Sequence, residues 1–169
     1  MAKYERPHYE VLTKEKEFEI RHYDAFSTSM VKESNIRGYS GFGVLFRYIS
    51  GDNDKAQPIS MTVPVFSERG DEPSMEFVIP KAVEAAGIPS PNNPNVSIRH
   101  YDAQTMAVVK HRGRLTNDLV ASLEETLRRW LETQPYTISG ALRLAQYDGP
   151  YMPVFLRTSE LLFPVEAKR

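Results

Sequence analysis

The sequence predicts an α+β protein in which a β-α-β-β unit, present twice, forms a distorted antiparallel β-barrel of about eight strands flanked by two helices. The first observation is a repeated hexapeptide, Ile-Arg-His-Tyr-Asp-Ala, at residues 20–25 and 98–103. The second is that the similarity continues downstream, where Met-Val-Lys at 30–32 matches Val-Val-Lys at 108–110. The third is that each copy then has one helix-like and two strand-like segments. Repeated units of this kind bury their apolar faces against each other.

We expect one domain over residues 1–169, with the copies at about 9–80 and 96–164 and a proline-rich linker at 80–95. A chain of 169 residues, 41% of them hydrophobic, is long enough to bury one core. Its 21 Lys and Arg against 22 Asp and Glu give no electrostatic reason to expect nucleic acid or an anionic membrane as partner. The absence of cysteine excludes disulfides, thiolate metal sites and cysteine nucleophiles.

The first copy opens with Tyr9-Glu10-Val11-Leu12 and a charged turn. A strand follows at 18–23, where apolar and polar residues alternate, and it resumes at 26–32. A helix is expected over about 36–50, with Asn35 as its N-cap. Three glycines inside it each cost about 1 kcal/mol relative to alanine. Close approach of another surface, either a sheet or a flat ligand, would offset that cost. These glycines are Gly38, Gly41 and Gly43.

Two strands are expected to complete the first copy, at 59–66, where Pro64 indicates an edge or a bulge, and at 75–79. In the second copy, Thr116 or Asn117 is expected to cap a helix with one apolar stripe, which is typical of packing against a core. Strands near 141–147 and 157–163 complete that copy.

Two pairs of equivalent polar residues in the copies are candidates for chemistry. His22 and His100 have a structural interpretation, because both copies keep the same strand residue, and His22 also has a functional one, as a neutral imidazole that binds a metal centre inside a ligand. Glu76 and Glu160 interrupt apolar strands. They point either to solvent or to the interior, where each would need a cation. No nucleophile elbow, phosphate-binding glycine loop or local zinc motif occurs, so we expect no enzyme.

Four further motifs are Gly-Phe-Gly-Val-Leu-Phe-Arg-Tyr-Ile-Ser-Gly-Asp-Asn at 41–53, Met-Thr-Val-Pro-Val at 61–65, Ala-Gln-Tyr-Asp-Gly-Pro at 145–150 and Arg-Thr-Ser-Glu-Leu at 157–161. Together they resemble the SOUL haem-binding protein family. The resemblance runs from about Tyr9 to Pro164. It implies the barrel with two helices that the repeat predicts, and cytosolic binding of haem and related tetrapyrroles.

The resemblance also implies an apolar porphyrin cleft beside the first helix. The implied lining is Phe42, Leu45, Phe46 and Ile49, with Met61 and Met152 as further contacts and Arg47 as a partner for a haem propionate. Two departures from the family concern this cleft. Met152 stands before Pro153 where some members have a basic residue, and the helix glycines replace larger side chains. Some members carry a histidine in Ile-Arg-His-Tyr that is proposed as the iron ligand, and His22 matches it.

The SOUL fold is similar to that of GyrI-like effector-binding domains, which hold small, often cationic, organic molecules. There a glutamate matched by Glu160 contacts the charge of the ligand, and Tyr147 and Trp130 would belong to the same groove. A third alternative is a protein-interaction module that docks through its second helix. We predict a cytoplasmic, monomeric, non-enzymatic haem-binding protein, possible roles being a haem buffer or carrier.

Overall fold

The computed structural model describes residues 4–33, 40–149 and 151–169. Within these ranges the chain forms ten β-strands and three α-helices. In chain order they are β1 (Tyr9–Glu15), β2 (Phe18–Tyr23), β3 (Phe26–Lys32), α1 (Gly41–Ile49), β4 (Val65–Glu68), β5 (Ser74–Val78), α2 (Lys81–Ala86), β6 (Val96–Tyr101), β7 (Gln104–Arg112), α3 (Asn117–Glu132), β8 (Tyr136–Ile138), β9 (Arg143–Gln146) and β10 (Thr158–Ala167). The predicted α+β class and antiparallel strand pairing are confirmed.

The chain is divided into two compact units, and two of the three boundaries between them fall inside the repeated hexapeptide. The first unit contains residues 1–7 and 25–102, and the second contains 8–24 and 103–169. Those two boundaries are at the Asp-Ala step that ends the hexapeptide, at Asp24-Ala25 and at Asp102-Ala103, and the third is at Pro7-His8. Each copy of the repeat therefore begins in one unit and continues in the other.

In the first unit the strands follow the order β4-β5-β3-β6, and α1 packs on β3, β5 and β6. The strand supplied by the second copy is β6, which pairs with β3 so that Ser27 faces His100. The core of this unit consists of apolar side chains from α1 and the sheet. They are Val31, Val44, Leu45, Tyr48, Ile49, Ile59, Phe77 and Val96.

In the second unit the order is β1-β2-β7-β10-β9, with β8 also paired to β10. The strand supplied by the first copy is β2, which pairs with β7 so that His22 faces Thr105. The helix α3 packs on β7, β8 and β10. Its apolar stripe joins the core, as the sequence predicted, through Val120, Leu127, Trp130 and Leu131.

The helix α1 begins at Gly41, and the Ser40 hydroxyl caps it by accepting a hydrogen bond from the Gly43 amide at 3.0 Å. The predicted cap Asn35 and the glycine at 38 lie outside the described residues. The close approach expected at the glycines is made by the end of β3 at Gly41, whereas a Cβ at Gly43 would meet, among the described residues, only the Ser40 hydroxyl, at 3.0 Å. A Cβ at Gly41 would lie 3.4 Å from the Val31 side chain and 3.0 Å from the Glu33 carboxylate.

Two other segments differ from the sequence-based prediction. The expected linker at 80–95 contains the short helix α2, which Pro80 starts and Gly87 ends. The strand expected at 59–66 forms only from Val65 onward, as β4, and residues 59–64 before it are irregular chain. The helix α3 is capped by Thr116, one of the two residues expected, whose hydroxyl accepts from the Leu119 amide at 3.2 Å.

Candidate functional site

An exposed aromatic wall lies on the outer face of α1. Phe42 and Phe46 are 44% and 51% exposed, and their rings stack with centroids 6.1 Å apart and an interplanar angle of 12°. Phe42 also meets the edge of Phe77 on β5, with centroids 5.2 Å apart. The wall is thus held in place by the sheet beneath it while its outer ring faces remain open to solvent. We call Phe42 and Phe46 the aromatic wall.

The other residues of the expected cleft occupy different environments. Leu45 and Ile49 are buried in the core of the first unit, so they support α1 from beneath. Arg47 is exposed in the last turn of the helix, and Met61 is half-buried against the same core. Met152 belongs to the second unit, where it is half-buried and its carbonyl accepts a hydrogen bond from Arg157 Nε at 2.9 Å.

Glu160 on β10 is buried and its carboxylate is bound by protein donors. The Arg21 guanidinium donates to both carboxylate oxygens, at 2.9 and 2.5 Å, and the Tyr147 hydroxyl donates to Oε1 at 2.6 Å. Burial raises the pKa of Tyr147, and the adjacent Glu160 charge raises it further. The cation that a buried carboxylate needs is therefore supplied within the second unit by Arg21.

Arg21 connects Glu160 to a second buried carboxylate. Its Nε donates to Glu19 at 2.7 Å and its Nη1 to the Tyr23 hydroxyl at 2.8 Å, while Lys110 lies 3.3 Å from Glu19. Burial opposes ionisation of Glu19, but Arg21 and Lys110 outweigh it and hold the pKa of Glu19 below its usual value. Two carboxylates thus share one fully buried guanidinium and one half-exposed ammonium.

Glu76, the equivalent of Glu160 in the first copy, is also buried. Its Oε1 accepts hydrogen bonds from Thr28 at 2.6 Å and from the Tyr101 hydroxyl at 2.7 Å, and Arg99 lies 4.0 Å away. The sequence left open whether Glu76 and Glu160 point to solvent or to the interior, and both side chains are buried. Neutral hydroxyl donors dominate at Glu76, whereas a bidentate guanidinium dominates at Glu160.

Trp130, expected in a ligand groove with Glu160 and Tyr147, is a core residue of the second unit. Its ring stacks on Phe18 with centroids 5.0 Å apart, and its Nε1 donates to Glu15 at 2.9 Å. It is only 9% exposed. Its role in the structure is to anchor α3 on the sheet.

His22 is exposed on β2 at the rim of a cavity of ≈ 560 Å³ in the second unit. Its Nδ1 lies 3.2 Å from the Thr105 hydroxyl across the strand pair. Gln104 lines the same cavity, and its amide nitrogen is buried without a hydrogen-bond partner among the described residues. The cavity is lined by both polar and apolar groups.

His100 is the residue whose surroundings sequence reasoning missed. Its Nδ1 lies 2.6 Å from the hydroxyl of buried Ser27, and that hydroxyl donates to the Glu84 carboxylate at 2.7 Å. The imidazole lines a cavity of ≈ 400 Å³ beside Ile88 and Ile98. The signal was present in the repeat, because Ser27 follows the first hexapeptide as Thr105 follows the second.

The described ranges contain neither a candidate metal centre nor a candidate membrane-spanning helix. No cluster of three or more His, Cys, Asp or Glu side chains there is arranged to hold a metal ion. No helix there is both long and apolar enough to cross a membrane.

The fold and the motifs agree with a family match over nearly the whole chain. The model of the SOUL heme-binding protein family matches residues 4–164, so the chain belongs to the SOUL haem-binding family. No curated protein sequence matches it. The expectation that the chain is not an enzyme is confirmed at the level of the family, which is one of ligand-binding proteins.

Solved structures of similar fold include EcmrR, both in a DNA complex and as its isolated C-terminal domain. The complex is 16% identical with a TM-score of 0.63 and covers 89% of this chain, which spans 57% of the length of that protein. The C-terminal domain is 17% identical, has a TM-score of 0.58, and the match covers 94% of this chain and 98% of that domain. These matches confirm the predicted relation in fold to GyrI-like effector-binding domains.

Two further structures share the fold. A hydrolase from Listeria innocua is 10% identical with a TM-score of 0.60, over 92% of this chain and 94% of that one. SAV2435 bound to tetraphenylphosphonium is 12% identical with a TM-score of 0.50, over 89% and 94%. At these identities the similarity establishes the fold alone.

Proposed function

We propose that this protein binds haem or a related tetrapyrrole on the aromatic wall of α1 and serves as a haem buffer or carrier. The observation that carries the proposal is the pair of stacked, half-exposed phenylalanines in a chain of the SOUL haem-binding family. Two adjacent, exposed aromatic rings, one of which packs on a sheet, favour a ligand with a flat apolar face.

The residues of α1 fit a porphyrin in two respects. The rings of Phe42 and Phe46 offer an apolar surface for the macrocycle, and Arg47, in the last turn, supplies a cation for a propionate at its edge. The helix contains no histidine, cysteine or methionine, so this surface would hold the ring without ligating its iron. Contact through one open face predicts moderate affinity and ready release, as a buffer or a carrier requires.

The test is a haemin titration followed by absorbance, on the wild type and Phe46→Asp. A carboxylate in the wall would meet the apolar ring face and repel the propionates, so we expect the affinity to fall at least about tenfold. Leu12→Asp, at an exposed leucine on β1, is the matched control and should bind as the wild type does. Equal affinity in Phe46→Asp and wild type would rule out the aromatic wall.

The alternative function, binding of an organic cation at Glu160, would require the ligand to compete with Arg21. SAV2435 binds tetraphenylphosphonium, but in this chain both oxygens of Glu160 already accept from Arg21. A ligand cation would have to displace a buried guanidinium with bidentate geometry, which is costly. A calorimetric titration with tetraphenylphosphonium separates the two functions. Saturable binding that Glu160→Gln abolishes would favour the alternative.

A further inference from the structure

We propose that Gly43 is a specificity-determining residue of the haem site, because its missing side chain leaves a flat surface between the aromatic wall and Arg47. This inference rests on the proposed function and adds to it the part of α1 that admits a planar ligand. It follows from the position of Gly43 on the helix, the space around it, and the lack of a structural reason for glycine there.

Gly43 lies on the outer face of α1, between the aromatic wall and Arg47. Residues three and four apart are neighbours on a helix surface, so Gly43 adjoins both Phe46 and Arg47 in the next turn. Around the helix axis it is about 60° from Phe46 and about 40° from Arg47, on the side between them. A path over the surface from the Phe46 ring to the Arg47 side chain therefore crosses Gly43.

The space beside the Gly43 α-carbon is open on its outer side. Among the described residues, a Cβ at Gly43 would have one neighbour within 4 Å, the Ser40 hydroxyl. Gly43 is half-exposed, and Phe46 and Arg47 beside it are exposed. At Gly41, in contrast, the side chains at the end of β3 approach the same built position from the protein side. The sheet thus accounts for the glycine at 41 but not for the one at 43.

The helix cap and the backbone conformation do not require glycine at this position either. The bond from the Gly43 amide to the Ser40 hydroxyl is also made in the capping box, where the third helical residue is glutamate or glutamine. Gly43 lies within α1 and is not one of the glycines with positive φ, so its backbone suits any residue. Since glycine in a helix lowers stability relative to alanine, its presence here points to a role outside the fold.

A porphyrin is a ligand that would use such a gap. Its macrocycle is rigid and planar, and both propionates stand on one edge. For the ring to stack on Phe46 while a propionate pairs with Arg47, that edge must lie over Gly43. A side chain there would lift the ring from the helix, and a gap of about 0.5–1 Å already removes about a quarter to a half of the dispersion energy. Gly43 thus favours a flat macrocycle with an anionic edge.

The experiment is a double-mutant cycle of Gly43→Leu and Arg47→Ala, measured as haemin dissociation constants from absorbance titrations. We expect Gly43→Leu to weaken binding about tenfold and Arg47→Ala to weaken it about fivefold. In the Gly43→Leu background, Arg47→Ala should change the dissociation constant less than about twofold, because the propionate no longer reaches residue 47. Ala121→Leu, which adds a leucine at an exposed position of α3, is the matched control and should bind as the wild type does.

Thermal unfolding of Gly43→Ala, followed by circular dichroism, separates a role in binding from a role in the fold. We expect its Tm to equal or exceed that of the wild type while its haemin affinity falls. A lower Tm would assign the glycine to the cap and overturn the inference. Equal haemin affinity in Gly43→Leu and wild type, or additive effects in the cycle, would also overturn it and leave haem binding intact. Wild type that binds no haemin would overturn the proposed function and the inference with it.

Discussion

Glu160 is a residue at which loss of a single charge should strongly reduce stability. Glu160→Gln would leave the buried Arg21 guanidinium with Glu19 as its remaining carboxylate, and breaking a buried pair from one side costs about 3 kcal/mol or more. Urea unfolding at pH 7 should show a loss of that size. The matched control is Glu125→Gln, since Glu125 forms an exposed pair with Arg129 on α3, and it should change the free energy of unfolding by less than about 0.5 kcal/mol. Equal effects would contradict the assigned network.

The two identical hexapeptides show that residue type alone does not determine whether a side chain is buried. Arg21 is fully buried, whereas the side chain of its repeat equivalent Arg99 is 40% exposed. Sequence reasoning identified Glu76 and Glu160 as unusual because they interrupt apolar strands. It could not find their partners, since Arg21 and Glu160 meet only through strands that are far apart in the chain.

The helix α3 is an element whose start depends on one side chain. Thr116→Ala removes the hydroxyl that accepts from Leu119, and we expect a loss of about 1 kcal/mol in the free energy of unfolding. Thr126→Ala is the control, because Thr126 lies inside the same helix and its hydroxyl bonds back to the Ser122 carbonyl. Alanine has a higher helix propensity than threonine, so Thr126→Ala should leave the free energy of unfolding unchanged or increase it. Thermal or urea unfolding of both variants separates the effect of losing the cap from the effect of replacing any threonine of this segment by alanine.

The elements were largely predictable from local signals, and their orientation was not. Phe42, Leu45, Phe46 and Ile49 are spaced at i, i+3, i+4 and i+7, as on one face of a helix, and they lie in α1. At about 100° per residue, however, these four positions span roughly 100° of its circumference. The buried face is centred nearer Gly41, Leu45 and Tyr48, so the two phenylalanines lie at its outer margin and remain exposed. Only the packing of α1 on its sheet decides which part of an apolar arc is covered.

At the scale of the whole molecule, the exchange of strands between the copies predicts the behaviour of its halves. A chain ending at residue 95 would lack β6, the partner of β3, and a chain starting at 96 would lack β2, the partner of β7. We expect neither half to give a cooperative thermal transition alone, and the mixture of both to do so. Circular dichroism melts of each half and of the mixture test this. A cooperative melt of either half by itself would contradict it.

The repeat was evident in the sequence, but the exchange of strands was not. Pairing of β2 with the adjacent β3 would be the simplest hairpin, and the hexapeptide is compatible with either partner because it is identical in both copies. Long-range contacts decide whether β2 pairs with β3 or with β7, and the periodicity of apolar residues does not predict such contacts. The domain organisation over residues 1–169 therefore remains a proposal that the melting of the halves also tests.

The exchange of strands between the copies determines whether the stability of the fold depends on protein concentration. A single copy of this repeat, made as a separate chain, would obtain its missing strand only from a second molecule, and its stability would depend on protein concentration. Joining the copies through the segment that contains α2 replaces that encounter by an intramolecular one, with an effective concentration set by the length of the connection. Tethering thus gives the chain a complete set of strand partners even when only a few molecules are present.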